Sequence, residues 1–209
     1  MLRLYEDELC GDSYKVRLML ALLGVDYERV RVERYPSAQH ETPDFLALNP
    51  LGTLPVLDVD GTPLRDAHAI LVWLARRHGD AAWLPADDPL RLAQVQTWLG
   101  FAARLGDAVF ALRDYVLHGI GVQHAHAGAD AKRYLRVLDE TCWFNDAAGT
   151  PFVAGTRAPT IADIACFVPV ALLDEAEIDT IDYPALARWS TRIRRLKRFV
   201  PMAGVYPAI

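Results

Sequence analysis

The stretch that most constrains this chain lies late in it. From Thr160 to Leu173 the sequence TIADIACFVPVALL is apolar on every side of a helix except at its first turn. A helix of that kind has no face to offer water, so the rest of the chain must enclose it. Its start is marked as well. Thr160 and Asp163 have the [ST]-x-x-[DE] spacing of a capping box, in which each side chain accepts from the other's backbone N–H, and losing such a cap costs ~1 kcal/mol. A length of 209 residues allows one large domain or two compact ones, each with a core of its own.

The patterning changes once along the chain. Leu2-Arg3-Leu4-Tyr5 alternates like a short strand, and Glu6 to Asp12 reads as a polar turn. From Ser13, the apolar stripe of Val16, Leu18, Met19, Leu20, Leu22 and Leu23 marks a helix stopped by Gly24. Tyr27 to Val32 alternates again, and Thr42 to Leu48 makes a helical turn. Leu54 to Val59 and Thr62 to Leu64 flank Asp60-Gly61, a strong hairpin signal. A further helix is expected from Asp66, with Ile70, Leu71, Trp73 and Leu74 as its buried face. The order over the first eighty residues is βαβαββα.

Residues 80–88, with Pro85 and Pro89 beside them, read as a linker between a domain at 1–79 and a second at 89–209. Beyond it no strand pattern recurs. Leu90 to Leu117, Asp130 to Ala147, Thr160 to Leu173 and Pro184 to Leu196 read as helices, the last with a favourable first-turn proline.

A formal net charge of −5 leaves little long-range attraction for nucleic acid or an anionic lipid surface. No apolar run approaches the roughly 18–20 residues of a spanning helix. The acidic start MLRLYEDELC does not resemble a signal peptide, and the cytosol is the expected compartment. Three widely spaced cysteines, Cys10, Cys142 and Cys166, suit neither a disulfide framework nor a zinc site. His124 and His126 have too few companions for a metal, so none is expected.

Two segments carry possible chemistry. Cys10 stands just ahead of the first helix, where free N–H groups and the helix dipole favour a thiolate, with Lys15 or Arg17 as a cation to add to the effect. Cys10 is equally readable as a small loop residue, and Ser13 as the helix cap. The second segment joins Pro55, which suits a strand's first residue or a cis turn, to Asp66, whose carboxylate beside free N–H groups suits either a zwitterion or a plain N-cap. Cys142 and Cys166 read as buried small residues, Asp174 to Asp179 as a solvated loop, and the basic Arg192 to Arg198 run as a helix C-terminus.

The run LNPLGTLPVL, the helix opening RDAHAIL with its continuation VWLARRHG, and the helix YKVRLMLALLGVDYE, together with FVAGTRAPTIADI and YPALARWSTRIRRLKRF, resemble the cytosolic glutathione transferase superfamily over essentially the whole chain. The resemblance implies an α/β thioredoxin-like N-terminal domain, an all-α C-terminal domain, a homodimer and a glutathione site. Pro55 matches the family's cis-proline, and the preceding Leu54 would pair its backbone with the cysteinyl part of glutathione. Asp66 and Ala67 fall where the family holds the γ-glutamyl group, although Ala67 keeps only the backbone N–H where a serine is usual. Thr53 stands where a longer polar side chain often reaches the glycyl carboxylate, with His40 the nearest replacement.

Cys10 matches the position of the catalytic serine in many members and of a cysteine in the beta-like and omega-like groups. A cysteine there favours thiol transfer through a mixed disulfide, with Ser13 supporting the sulfur and Tyr5 a weaker third candidate. A serine-like role, with Cys10 or Ser13 only a hydrogen-bond donor, corresponds to glutathione conjugation. A member without turnover is the third reading. Trp98, Phe101, Arg104 and Leu105 are the expected lining of a pocket for a small hydrophobic electrophile or disulfide.

Overall fold

The computed structural model describes residues 1–120 and 126–207. Four strands, β1 (Leu2–Glu6), β2 (Glu28–Arg31), β3 (Val56–Val59) and β4 (Thr62–Leu64), form one sheet in the order β2-β1-β3-β4. β1 runs parallel to β2 and antiparallel to β3, with Leu4 opposite Leu57, and β3 and β4 form a hairpin. Its two turn residues, Asp60 (φ 50°) and Gly61 (φ 91°), both adopt the left-handed backbone that a tight two-residue hairpin requires. Three helices interleave with the strands: α1 (Gly11–Leu23), α2 (Pro43–Leu48) and α3 (Ala67–His78). This is the βαβαββα order expected from the alternation, in the thioredoxin-like arrangement that the resemblance implied.

Residues 79–88 hold only turns, and helices follow: α4 (Pro89–His118), α5 (Ala127–Ala147), α6 (Ile161–Ala171) and α7 (Pro184–Arg194). Every residue of α6 is buried. It packs against α4, α7, α1 and α3, so one apolar helix joins the helical half to the sheet half. The capping box forms as spaced. Thr160 Oγ1 accepts from Ala162 N at 3.2 Å, and Asp163 accepts from Thr160 N at 2.8 Å. The fully buried Asp163 also takes Thr160 Oγ1, Val153 N and Trp189 Nε1, which ties α6 to the loop before it and to α7.

Several local expectations shift. Glu6 is no turn residue: it ends β1, fully buried, and its carboxylate is clamped by Arg17 and Arg29. Two cations offset the cost of taking that charge out of water and fasten β1 to α1 and β2. The first helix begins at Gly11, so its N-cap is Cys10, and Ser13 is a buried residue of the first turn. The helix does end at Gly24 in the left-handed conformation (φ 67°). Trp73 is half-buried rather than a core residue. The Asp174–Asp179 stretch includes a 3₁₀ turn, buries Ala176 and Ile178, and pairs Glu175 with Arg113 of α4.

Candidate functional site

The site begins at the head of α1. Cys10, 7 % exposed, adopts an extended backbone at the N-cap, and its side chain makes no cap hydrogen bond. A serine or aspartate there would satisfy an N–H of the first turn. Sulfur leaves that group available. The loop ahead of it is fixed by Asp7, whose carboxylate accepts from Leu9 N (2.8 Å) and Arg34 N (2.9 Å), and by Ser13 Oγ, which accepts from Asp7 N at 3.4 Å. Gly11 lets the Phe110 ring of α4 lie against the helix start, since a Cβ there would come within 2.5 Å of Phe110 Cζ.

The expected depression of the Cys10 thiol is not what this geometry produces. Burial pushes the thiol up from its ordinary range, and Asp12 adds to the effect. Ser13 and Arg34 nearby oppose it. Neither expected cation serves Cys10. Lys15, 1 % exposed, is held by Asp12 at 2.7 Å and sits 3.3 Å from His68 Nε2, while Arg17 is spent on Glu6. The sequence shows a helix N-terminus beside basic residues, but not which way those residues face.

Opposite Cys10 stands the loop before β3. Cys10 Sγ lies 3.9 Å from the Leu54 carbonyl, and the Leu54–Pro55 peptide bond is cis, as the resemblance implied. The fully buried Asn49 shapes this loop, donating through Nδ2 to Thr53 O (2.7 Å) and Thr53 Oγ1 (3.0 Å) and accepting from Leu51 N (3.2 Å). The Thr53 hydroxyl is thus committed to the loop itself.

Asp66 caps α3, accepting from Ala69 N at 2.8 Å, while its residue remains exposed and Ala67 beside it is buried. Asp66, Ala67, His68, Asp12 and Lys15 line a small cavity closed by α4. Burial, then the Lys15 ammonium, hold the His68 imidazole down to about 4, against the pull of Asp66 and Asp12.

The four residues expected to line an electrophile pocket lie apart from one another in their surroundings. Leu105 is fully buried in the core, Phe101 packs edge-on against both Trp98 and Tyr134 of α5, and Arg104 is exposed. None of the four lines the cavity between the loop ahead of α1 and the far part of α4. That cavity, of about 350 Å³, is formed by Leu9, Arg34 and His40 on one side and by Arg113, Asp114 and His118 of α4 on the other. Its α4 residues lie more than two turns beyond Leu105, and Arg34 ties the two sides together through Asp114 at 3.0 Å. Arg113 carried a readable signal. It continues the buried stripe Val95, Leu99, Ala102, Leu105 and Val109, so a charge stands at a core phase. Tyr5 packs with Cys10, Val32, Phe45 and Leu54 in a small apolar cluster. Cys142 and Cys166 are 2 % and 0 % exposed, with thiols pushed up by burial. His126 stands at the N-cap of α5, and His124 lies outside the described residues.

A thioredoxin-like sheet whose first helix starts opposite a cis-proline, followed by an all-helical half, defines a class of fold. The comparisons place the chain within it. Residues 9–77 match the family model "Glutathione S-transferase, N-terminal domain". A maleylacetoacetate isomerase of Rhizobium meliloti is 34% identical over 183 residues, which cover 79% of this chain and 78% of that protein. A maleylacetoacetate isomerase of Pseudomonas aeruginosa is 33% identical over 136 residues, covering 64% of this chain and 62% of that one. The solved glutathione S-transferase from Pseudomonas fluorescens superposes with a TM-score of 0.85 at 30% identity, over 96% of this chain and 98% of its own. The chain belongs to the glutathione transferase superfamily.

Proposed function

We propose that this protein is a glutathione-dependent thiol transferase with Cys10 as its nucleophile, of the cysteine type found in beta-like and omega-like members. The observation that carries the reading is the thiol at an N-cap left open, 3.9 Å from the carbonyl that precedes the cis-proline. Leu54, Pro55, Asp66 and the Ala67 N–H hold glutathione, with His40 towards its glycyl end, and the Ser13 hydroxyl favours the thiolate. The Cys10 thiolate attacks the glutathionyl sulfur of a mixed disulfide, the S–S bond breaks, and the partner thiolate leaves and takes a proton. A second glutathione thiolate then attacks the Cys10–glutathionyl disulfide. Oxidised glutathione leaves and Cys10 is restored, so the two electrons that reduce the partner come from glutathione.

A second reading rests on the burial of Cys10, which keeps the thiol protonated until a ligand arrives. A protonated thiol donates a hydrogen bond, and in that role Cys10 stabilises the thiolate of bound glutathione for conjugation to an electrophile. Isomerisation, the activity in the names of the two curated relatives, falls under this reading because it consumes no reductant. The family likeness supports a homodimer and a cytosolic setting for either chemistry.

Cys10→Ser separates the two. Thiol transfer requires that reduction of the glutathione–2-mercaptoethanol disulfide disappear while glutathione still binds. Conjugation requires that activity on an aryl halide persist or rise. Absence of any glutathione affinity in the unaltered protein would leave a member without turnover.

A further inference from the structure

Away from Cys10, a separate cavity of about 290 Å³ lies between α7 and the end of α6, close to the lower end of the size range of small-molecule sites. Val170, Leu173 and Leu186 give it an apolar wall. Ser190 and Arg194, one turn apart on the same side of α7, line it together with Asp174. These polar groups lack partners. Ser190 is 7 % exposed, and its hydroxyl makes no hydrogen bond among the described residues. Arg194 donates from Nη1 to the Tyr206 carbonyl at 3.4 Å, while its Nε is buried with no acceptor among the described residues. No ion pair joins Arg194 to Asp174, or either of them to another charge, among the described residues. A buried donor without an acceptor is unfavourable and is normally resolved by a partner.

We propose that this cavity binds a small apolar amino acid, whose carboxylate accepts from Arg194 and the Ser190 hydroxyl, whose ammonium meets Asp174, and whose side chain lies on the apolar wall. Two opposite charges that share one cavity without pairing select a ligand that carries both. A lone carboxylate would satisfy Arg194 but bring a second negative charge beside Asp174, and a lone amine would do the reverse. A zwitterion answers both with charge-assisted bonds. The volume admits one small molecule, and Val170, Leu173 and Leu186 favour a branched aliphatic side chain over a polar one. No Cys, His or Lys lines the cavity, so the ligand is held there and not converted. The site shares no residue with the one built around Cys10, Leu54 and Asp66, and it stands whether or not glutathione is the ligand of that other site.

Backbone amide NMR of the unaltered protein, titrated with L-leucine, tests this and locates the ligand. Saturable shifts are expected at Leu186, Ser190 and Arg194 and none at Leu9 or Gly11. Two probes each remove one charge. 4-Methylpentanoate lacks the ammonium and 3-methylbutylamine lacks the carboxylate, and each should bind at least about tenfold more weakly than L-leucine. Arg194→Gln and Asp174→Asn should each weaken L-leucine by a similar factor, and the second, at an exposed side chain, keeps the test open if the first does not fold. Absence of saturable shifts, or shifts confined to the loop around Cys10, overturns the proposal. So does 4-methylpentanoate binding as tightly as L-leucine, or an L-leucine affinity unchanged in a folded variant. Glutathione added alone reads the other site, so its failure to bind counts against the proposed function and not against this assignment.

Discussion

Two helices of this molecule begin in opposite ways. At α6, Thr160 and Asp163 satisfy the helix start and then draw in Val153 and Trp189, so a fully buried carboxylate ends with four donors. At α1, Cys10 holds the same N-cap position and gives the helix no side-chain bond. Both sites are buried, both open long-range contacts, and only one is closed. A helix start that the fold needs is satisfied from within, whereas a start kept for a ligand is left with a group that hydrogen-bonds weakly and reacts readily. The same contrast recurs at smaller scale between Asp66, which caps α3, and Arg113, whose Nη2 has no partner among the described residues.

The largest effect expected from disturbing this contrast is at the closed end. Asp163→Ala leaves Val153 N, Thr160 N and Trp189 Nε1 without their acceptor in a buried site, and stability should fall by several kcal/mol in a urea titration, at about 1–3 kcal/mol for each stranded donor. Asn49→Ala comes next, at about 1–3 kcal/mol, because the buried amide organises the loop that presents Leu54 and Pro55. That variant should also weaken glutathione binding, which Asp163→Ala leaves intact in the molecules that remain folded. Titration of both variants with glutathione decides whether the two networks are separate.

At the two helix starts, the expected changes are alike in size and opposite in sign. Thr160→Ala should cost ~1 kcal/mol. Cys10→Ser should stabilise by up to ~1 kcal/mol, since the hydroxyl supplies the missing cap, even as thiol transfer is lost. A Cys10→Ser protein less stable than its parent would show that the thiol's contact with the Leu54 carbonyl matters more than the open cap.

The last effect is read in pH dependence, as a slope rather than a single loss of stability. His68 titrates at about 4 in the folded chain, below its unfolded value near 6.5, so the unfolded state binds the extra proton between those limits. Its contribution is therefore complete above pH 6.5 and is lost as the pH falls towards 4, with a slope of at most about 1.4 kcal/mol per pH unit. His68→Asn should flatten the stability profile in that window, and an unchanged profile would mean that other groups dominate it.

What the sequence disclosed follows from the range of the forces concerned. The βαβαββα order was legible because each element carries its own stop: Gly24 for α1, Asp60-Gly61 for the hairpin. So was α6, since its composition leaves one place for it to be. Cys10 and Pro55 were legible as neighbours only through the family resemblance. The direction of the Cys10 shift was not, because a helix N-terminus is written locally whereas burial is imposed by Leu54, Phe45 and Val56 from distant parts of the chain. The surroundings of the residues expected to line a pocket were not legible for a related reason. Trp98 and Phe101 looked like a binding wall, but Trp98 packs on Phe101, whose other aromatic partner, Tyr134, lies on α5. Arg113 was passed over although its phase set it in the core.

The most direct test of the open helix start is to follow the protein by intact mass while oxidised glutathione is added at rising pH. The account predicts one glutathionyl adduct, on Cys10 alone, with Cys142 and Cys166 left unmodified by their burial. Its rate should climb with pH past the ordinary thiol range, because burial favours the protonated form. No adduct at any pH, or an adduct that persists in Cys10→Ser, would contradict it.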